Sequence, residues 1–240
     1  MSVTPADVPS PSQPERPARA GFSLPLDIVV APHRAFIKVA KTGEWVPAMI
    51  VIAALGMLTA FLALPAVIHI ETVAAAAPVS DTAAAATKLT ATQIRSAVLL
   101  ELGYQALFVP LLVAALTATT LTVIARFKDP AAPYSRFFSL AANCLVPSAL
   151  GGLIEILPVA VRGPGAYPDL RSLVLAVPAN LAVFAVPGNE RELEFLSHFD
   201  IFSGWAAVLL AFGFSTFAGI RFAWALAIAF ALNLAFAFMF

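Results

Sequence analysis

Charge is scarce in this sequence. Only 12% of its 240 residues are Asp, Glu, Lys or Arg, about half the share in a soluble domain, and 14 cations balance 14 anions. With no net field of either sign, nucleic acid is excluded as a partner class. Cysteine is nearly absent. Cys144 alone excludes an internal disulfide and any multi-cysteine metal site, and its place inside an apolar run makes it a small packing residue. The three histidines, His33, His69 and His198, are isolated from one another. No nucleophile elbow, phosphate-binding glycine loop or His-Glu-x-x-His pattern occurs, so neither an enzyme nor a cofactor is expected. A secretory signal is lacking too, because no apolar run follows a basic start within the first thirty residues.

What the sequence does have is apolar length. Hydrophobic residues make up 60% of it, with a mean hydropathy of +0.90. The apolar runs are long and uninterrupted rather than alternating with polar residues. That excludes a transmembrane barrel and predicts an all-α, polytopic helical bundle. From Phe199 to Phe240 only Arg221 breaks the pattern after Asp200, and a single helix of that length would be about twice the hydrocarbon thickness. The stretch therefore folds back on itself at Arg221.

Five spans follow, at about 46–70, 106–125, 137–161, 201–220 and 222–240. Residues 1–21, with Pro5, Pro9, Pro11, Pro14 and Pro17 among serines and alanines, read as a disordered cytosolic tail ahead of one membrane domain over 22–240. Pro32 to Lys41 reads as a short amphipathic helix. Arg34, Lys38 and Lys41 lie on one face as candidate contacts to an anionic leaflet, and Phe36, Val39 and Ala40 on another. The alternative reading of these cations is a positive flank that merely orients the first span. In that span Gly56 and Ala60 offer a small-xxx-small contact.

Ala74 to Thr90 is rich in alanine and threonine and reads as a loop. It ends in a Thr90-x-x-Gln93 capping box that starts a helix running through Glu101 and Gln105 into the second span, where Pro110 predicts a bend. Pro147 and the pair Gly151 and Gly152 predict a kink in the third span. Ser172 to Val186 is apolar but too short to cross and carries Pro178, so it is expected to be interfacial or partly buried. Asn189 and Glu192 predict a short helix whose apolar face is Leu193, Leu196 and Phe199. In the fourth span Ala207, Ala211, Ser215 and Gly219 form a stripe of small residues suited to close helix packing.

With the N-terminus inside, Arg16, Arg19, Arg34, Lys38, Lys41, Arg126, Lys128, Arg136 and Arg221 fall on the inner side. Lys88, Arg95, Arg162, Arg171 and Arg191 fall outside, which agrees with the positive-inside rule. Trp45, Tyr134 and Trp224 then mark the inner interface, Tyr104 and Trp205 the outer. The polar residues near the outer boundary, Glu101, Gln105, Glu155 and Asp200, are the candidate polar site. Their boundary position favours structural roles, with Asp200 placed as a helix cap.

Phe199-Asp200-Ile201-Phe202 followed by Trp205 and Gly213-Phe214 resembles the last hairpin of the Yip family of Ypt/Rab-interacting membrane proteins. Pro32 with Ala35-Phe36 ahead of Trp45, and Arg136-Phe137-Phe138 opening a span that contains Pro147, resemble its bacterial members. The likeness runs from Leu24 to Phe240. It implies five transmembrane helices, a cytosolic N-terminus and, in eukaryotic members, roles in vesicle traffic and membrane shaping. The Asp-Leu-Tyr-Gly-Pro type segment of the eukaryotic cytosolic region is absent, so the resemblance does not carry over a role with small GTPases.

Two readings from different classes remain. The first is a non-catalytic protein of a bacterial inner membrane that organises lipid, other membrane proteins or copies of itself through its small-residue faces and N-terminal helix. The second is a small-solute or cation permease component using Glu101, Gln105, Glu155 and Asp200. Against the second stand the lack of charge at any span centre and of an inverted repeat.

Overall fold

The computed structural model describes residues 23–76, 90–177 and 180–239. The expected tail at 1–21 lies outside the described residues, as does most of the expected loop before Thr90. The architecture is all-α. Helices α1 (Ser23–Val30) and α2 (Pro32–Thr42) precede α3 (Val46–Ala76), α4 (Ala91–Arg126), α5 (Tyr134–Cys144) and α6 (Val146–Arg162). Four further helices follow: α7 (Leu170–Leu175), α8 (Glu190–Ser197) and the closing pair α9 (Ile201–Ala218) and α10 (Phe222–Met239). Five segments are long and apolar enough to cross a membrane, α5 and α6 together making one of them.

Helix α3 overruns its expected limit, whereas α4 starts at its expected cap. The reading 46–70 took its end from bilayer thickness, but nothing in Glu71-Thr72-Val73-Ala74-Ala75-Ala76 breaks a helix, and α3 continues to Ala76. The start of α4 is set locally. Thr90 Oγ1 accepts from the Gln93 amide at 3.3 Å while Gln93 Oε1 accepts from the Thr90 amide at 2.8 Å, and α4 runs unbroken from there to Arg126.

The third span is two helices that break at Leu145. Pro147, in the first turn of α6, has no N–H to donate back, so one helix ends and another begins. Gly151 and Gly152 do not interrupt α6. Gly151 instead admits a neighbour: a Cβ there would stand 2.5 Å from the Phe202 ring.

The main core joins α5, α9 and the N-terminal helices, with Leu24, Ile28, Phe36, Val39, Phe137, Leu140, Leu209 and Phe214 all buried in it. Helix α3 packs on α4 and α6, and α9 on α10, α6 and α5. In the α3–α4 pair Gly56 is the point of close approach, a Cβ there meeting the Ala106 backbone at 3.2 Å.

Between Arg162 and Asp200 the longest described helix is α8, with 8 residues, so Ser172–Val186 forms no crossing helix. Its described parts include the end of α7 and a 3₁₀ turn at Leu181–Phe184, the turn pinned to the start of α9 by the Asn180↔Asp200 bridge and by the Leu181 amide donating to Phe199 O at 2.9 Å. A small cluster of Ala182, Ala185 and Leu193 packs it on α8.

Candidate functional site

Helix α1 was not foreseen from the sequence, and the apolar face of α2 has a different partner from the expected bilayer. Ala35, Phe36 and Val39 are buried in the protein core. The seat is made by a missing side chain. A Cβ on Gly213 would overlap Leu140 and stand 3.1 Å from Phe36, so only glycine lets the Phe36 ring enter between α5 and α9. Phe212 flanks that ring at 5.9 Å between centroids, and Phe137 packs edge-on against Phe214 at the same distance of 5.9 Å. Ala35-Phe36, Phe137 and Gly213-Phe214, far apart in the chain, thus meet in one place.

The opposite face of α2 carries Arg34, Lys38 and Lys41, all exposed. Lys38 Nζ lies 2.6 Å from Asp27 Oδ2 of α1, so one of the three cations is already paired. The link into α3 is fastened from α5, where the Ser139 hydroxyl (2.6 Å) and the Asn143 amide (3.0 Å) both donate to the Glu44 carbonyl. Ser139 and Asn143 are fully buried, and the sequence reading gave this pair no role. Their signal was the i, i+4 spacing of two polar residues on an apolar helix. The aromatic group Trp45, Phe138 and Tyr134 gathers at this end, with ring separations of 5.1 and 5.9 Å.

The α9–α10 turn reaches the same end. Gly219 stands beyond the last turn of α9 at φ 60°, a left-handed cap that glycine adopts without strain. Lys128 Nζ donates to its carbonyl at 2.7 Å and places a cation on the negative end of the helix. The small-residue stripe therefore divides. Ala207 and Ala211 are buried in the core, Ser215 is half-buried with its hydroxyl donating to Phe212 O at 3.3 Å, and Gly219 is exposed at the turn.

At the other end Asp200 caps α9. Its Oδ1 accepts from the Ser203 amide at 2.6 Å, and Ser203 Oγ accepts from the Asp200 amide at 3.0 Å. Glu155, half-buried on α6, which packs on α9, has its Oε1 buried without a hydrogen-bond partner. Glu101 and Gln105 do not join them. Both are exposed on α4, which packs on α3 and α5. A third cap lies between these elements. Asp169, exposed ahead of α7, accepts from the Ser172 amide at 2.7 Å, and the Ser172 amide and hydroxyl together hold its carboxyl below the ordinary carboxylate range.

Cys144 is a buried free thiol, and no cluster of three His, Cys, Asp or Glu suited to a metal ion occurs among the described residues. No curated protein and no solved structure matches the chain. A family model does: the Yip1 domain, matched over residues 26–240. That range takes in the N-terminal helices, all five spans and the Phe36–Gly213 seat, and the chain belongs to the Yip1 domain family, as a multi-pass membrane protein.

Proposed function

We propose that this Yip1-domain protein is a non-catalytic organiser of a bacterial inner membrane, acting on lipid and on other membrane proteins or further copies of itself. The observation that carries this reading is the seat of α2. Its apolar face is committed to the bundle, so Arg34, Lys38 and Lys41 are held in fixed positions on the outside rather than on a mobile tail. Arg126, Lys128, Arg136 and Arg221 belong to the connections at the same end of the spans, where Lys128 meets Gly219. Cations near an anionic leaflet each contribute about 1 kcal/mol, which favours placing this end and the N-terminus in the cytosol.

Reporter fusions after Lys128 and at Phe240 test the orientation. A cytosolic signal from the first and a non-cytosolic one from the second are expected, and the reverse pair would overturn it. Identifying the proteins and lipids that co-purify in nanodiscs tests the role. Phosphatidylglycerol is expected to be enriched around the native chain and to lose that enrichment when Arg34, Lys38 and Lys41 are replaced together by Gln. A permease reading draws on the unpartnered Glu155 oxygen and on Asp200, and a flux measurement described below separates it from this one.

A further inference from the structure

Three polar side chains from three spans, Thr117 of α4, Ser148 of α6 and Asn233 of α10, line one cavity of about 70 Å³ inside the bundle. The rest of its wall is apolar apart from Ser203, whose hydroxyl is engaged in the cap of α9. Thr117 is buried, with 4% of its surface exposed, yet its hydroxyl makes no hydrogen bond to another described residue. That is not the habit of this helix. Thr119, Thr120 and Thr122 each donate to the carbonyl four residues back, at 2.8, 3.0 and 2.6 Å. The Ser148 hydroxyl likewise bonds to no described residue. Asn233 makes one hydrogen bond at the outer limit of length, its amide donating to Ser203 O at 3.5 Å.

Polar groups left unpaired in an apolar wall are costly, and a guest that bonds to them removes the cost. Hydroxyls and a carboxamide both donate and accept, so the complementary guest does both and carries no charge. Water fits. Each molecule needs about 10–15 Å³ of such space and two or more polar partners, so the cavity has room and partners for a small cluster. A route to it is present as well. A second chamber, of about 360 Å³, lies at the start of α9 with Phe199 and Asp200 in its wall. Ser203 and Asn233 stand in the walls of both, so the cavity adjoins that chamber there.

We propose that the cavity is a water site within the spans: a small cluster bridges Thr117, Ser148 and Asn233 and exchanges with solvent at the Asp200 end, past Ser203. Cys144, the one cysteine of the chain, also stands in the cavity wall and can report on it.

The test uses the full-length protein in nanodiscs and silver ion, a small thiol-seeking cation that passes where water is continuous and is excluded from hydrocarbon by the cost of desolvation. Binding replaces the Cys144 thiol proton and is counted by intact mass, with Cys144→Ser as the background. The native chain is expected to take up one silver while folded. Asn233→Leu fills the shared wall with an apolar side chain that a helix accommodates, and should slow uptake about tenfold or more. Thr117→Val combined with Ser148→Ala removes both free hydroxyls and should slow it too. Unfolding would expose the thiol and speed the reaction, so a loss of rate cannot come from a variant that fails to fold. A native chain that takes up silver only on unfolding overturns the proposal, because the cavity is then dry. So does uptake at the native rate by either variant, because the thiol is then reached without this water.

Discussion

Two helical hairpins of this protein, α3–α4 and α9–α10, treat the membrane differently. Helices α9 and α10 have 18 residues each, about 27 Å of helix, close to the hydrocarbon thickness of a bilayer. Helices α3 and α4 have 31 and 36 residues, about 46 and 54 Å. The two pairs share one end. Lys128, just past α4, holds Gly219, just past α9, and Trp45, just before α3, packs on Phe138 of α5. The excess length of α3 and α4 therefore all emerges at the Asp200 end. There Tyr167 and Val159 pack on Ala66 of α3, and the segment between α6 and α9 fills the step between the long and short hairpins.

The difference shows that apolar length and membrane thickness are separate variables in this chain. The short hairpin is trimmed at both ends by caps, Asp200 and Gly219, and is tied to the N-terminal helices. The long one starts from a cap at Thr90, comes closest together at Gly56 and Ala106, and packs on the rest of the bundle through α5 and α6.

The largest effect that breaks the comparison is expected at the seat of α2. Phe36→Ala leaves a cavity and should cost about 3 kcal/mol or more in unfolding from detergent. Gly213→Leu should cost a comparable amount by expelling the ring, and the two together should cost less than their sum, since the leucine enters the space that Phe36 vacates. Strict additivity would show that the two sites are independent. Gly56→Leu sharpens the contrast. It should disturb α3–α4 packing while leaving protease protection of α2 unchanged, because α2 is seated on α5 and α9.

A smaller effect is expected at the cap of the short hairpin. Asp200→Ala should cost about 1 kcal/mol, whereas Asp200→Asn should be close to neutral. In proteoliposomes, neither Asp200→Asn nor Glu155→Gln should change cation flux. A cation-dependent flux in the native chain that both substitutions eliminate would replace the organiser reading with the permease one.

The smallest effect belongs to α7, in the step between the hairpins. The Asp169 carboxyl is held below its ordinary range in the folded state. The local stabilisation it provides is present above that ordinary range and is lost as pH falls through the depressed value. Amide exchange at Ser172 should accelerate on acidification by more than the change in intrinsic chemistry. Asp169→Asn should remove the pH dependence while keeping most of the protection.

Much of the scaffold was legible because its determinants are local. Thr90 and Gln93, or Asp200 and the turn that follows it, lie within four residues of one another, so a cap can be read from the sequence alone. The end of α3 was not legible from apolar length, since a helix ends where its backbone is capped or broken and not where lipid ends. The candidate polar residues divided for a related reason. Glu155 sits on α6 and Asp200 caps α9, two helices that pack on each other, whereas Glu101 and Gln105 sit on a helix that packs elsewhere.

By itself the sequence determined that this protein is a helical, multi-pass membrane protein with a closing hairpin that turns at Arg221, because long apolar runs leave no other way to satisfy backbone groups in lipid. The tertiary structure alone decided what the apolar face of α2 touches. Amphipathicity specifies that a face must be buried but not against what, and the choice between bilayer and protein rested on Gly213, more than 170 positions after Phe36, where one absent side chain opens the slot.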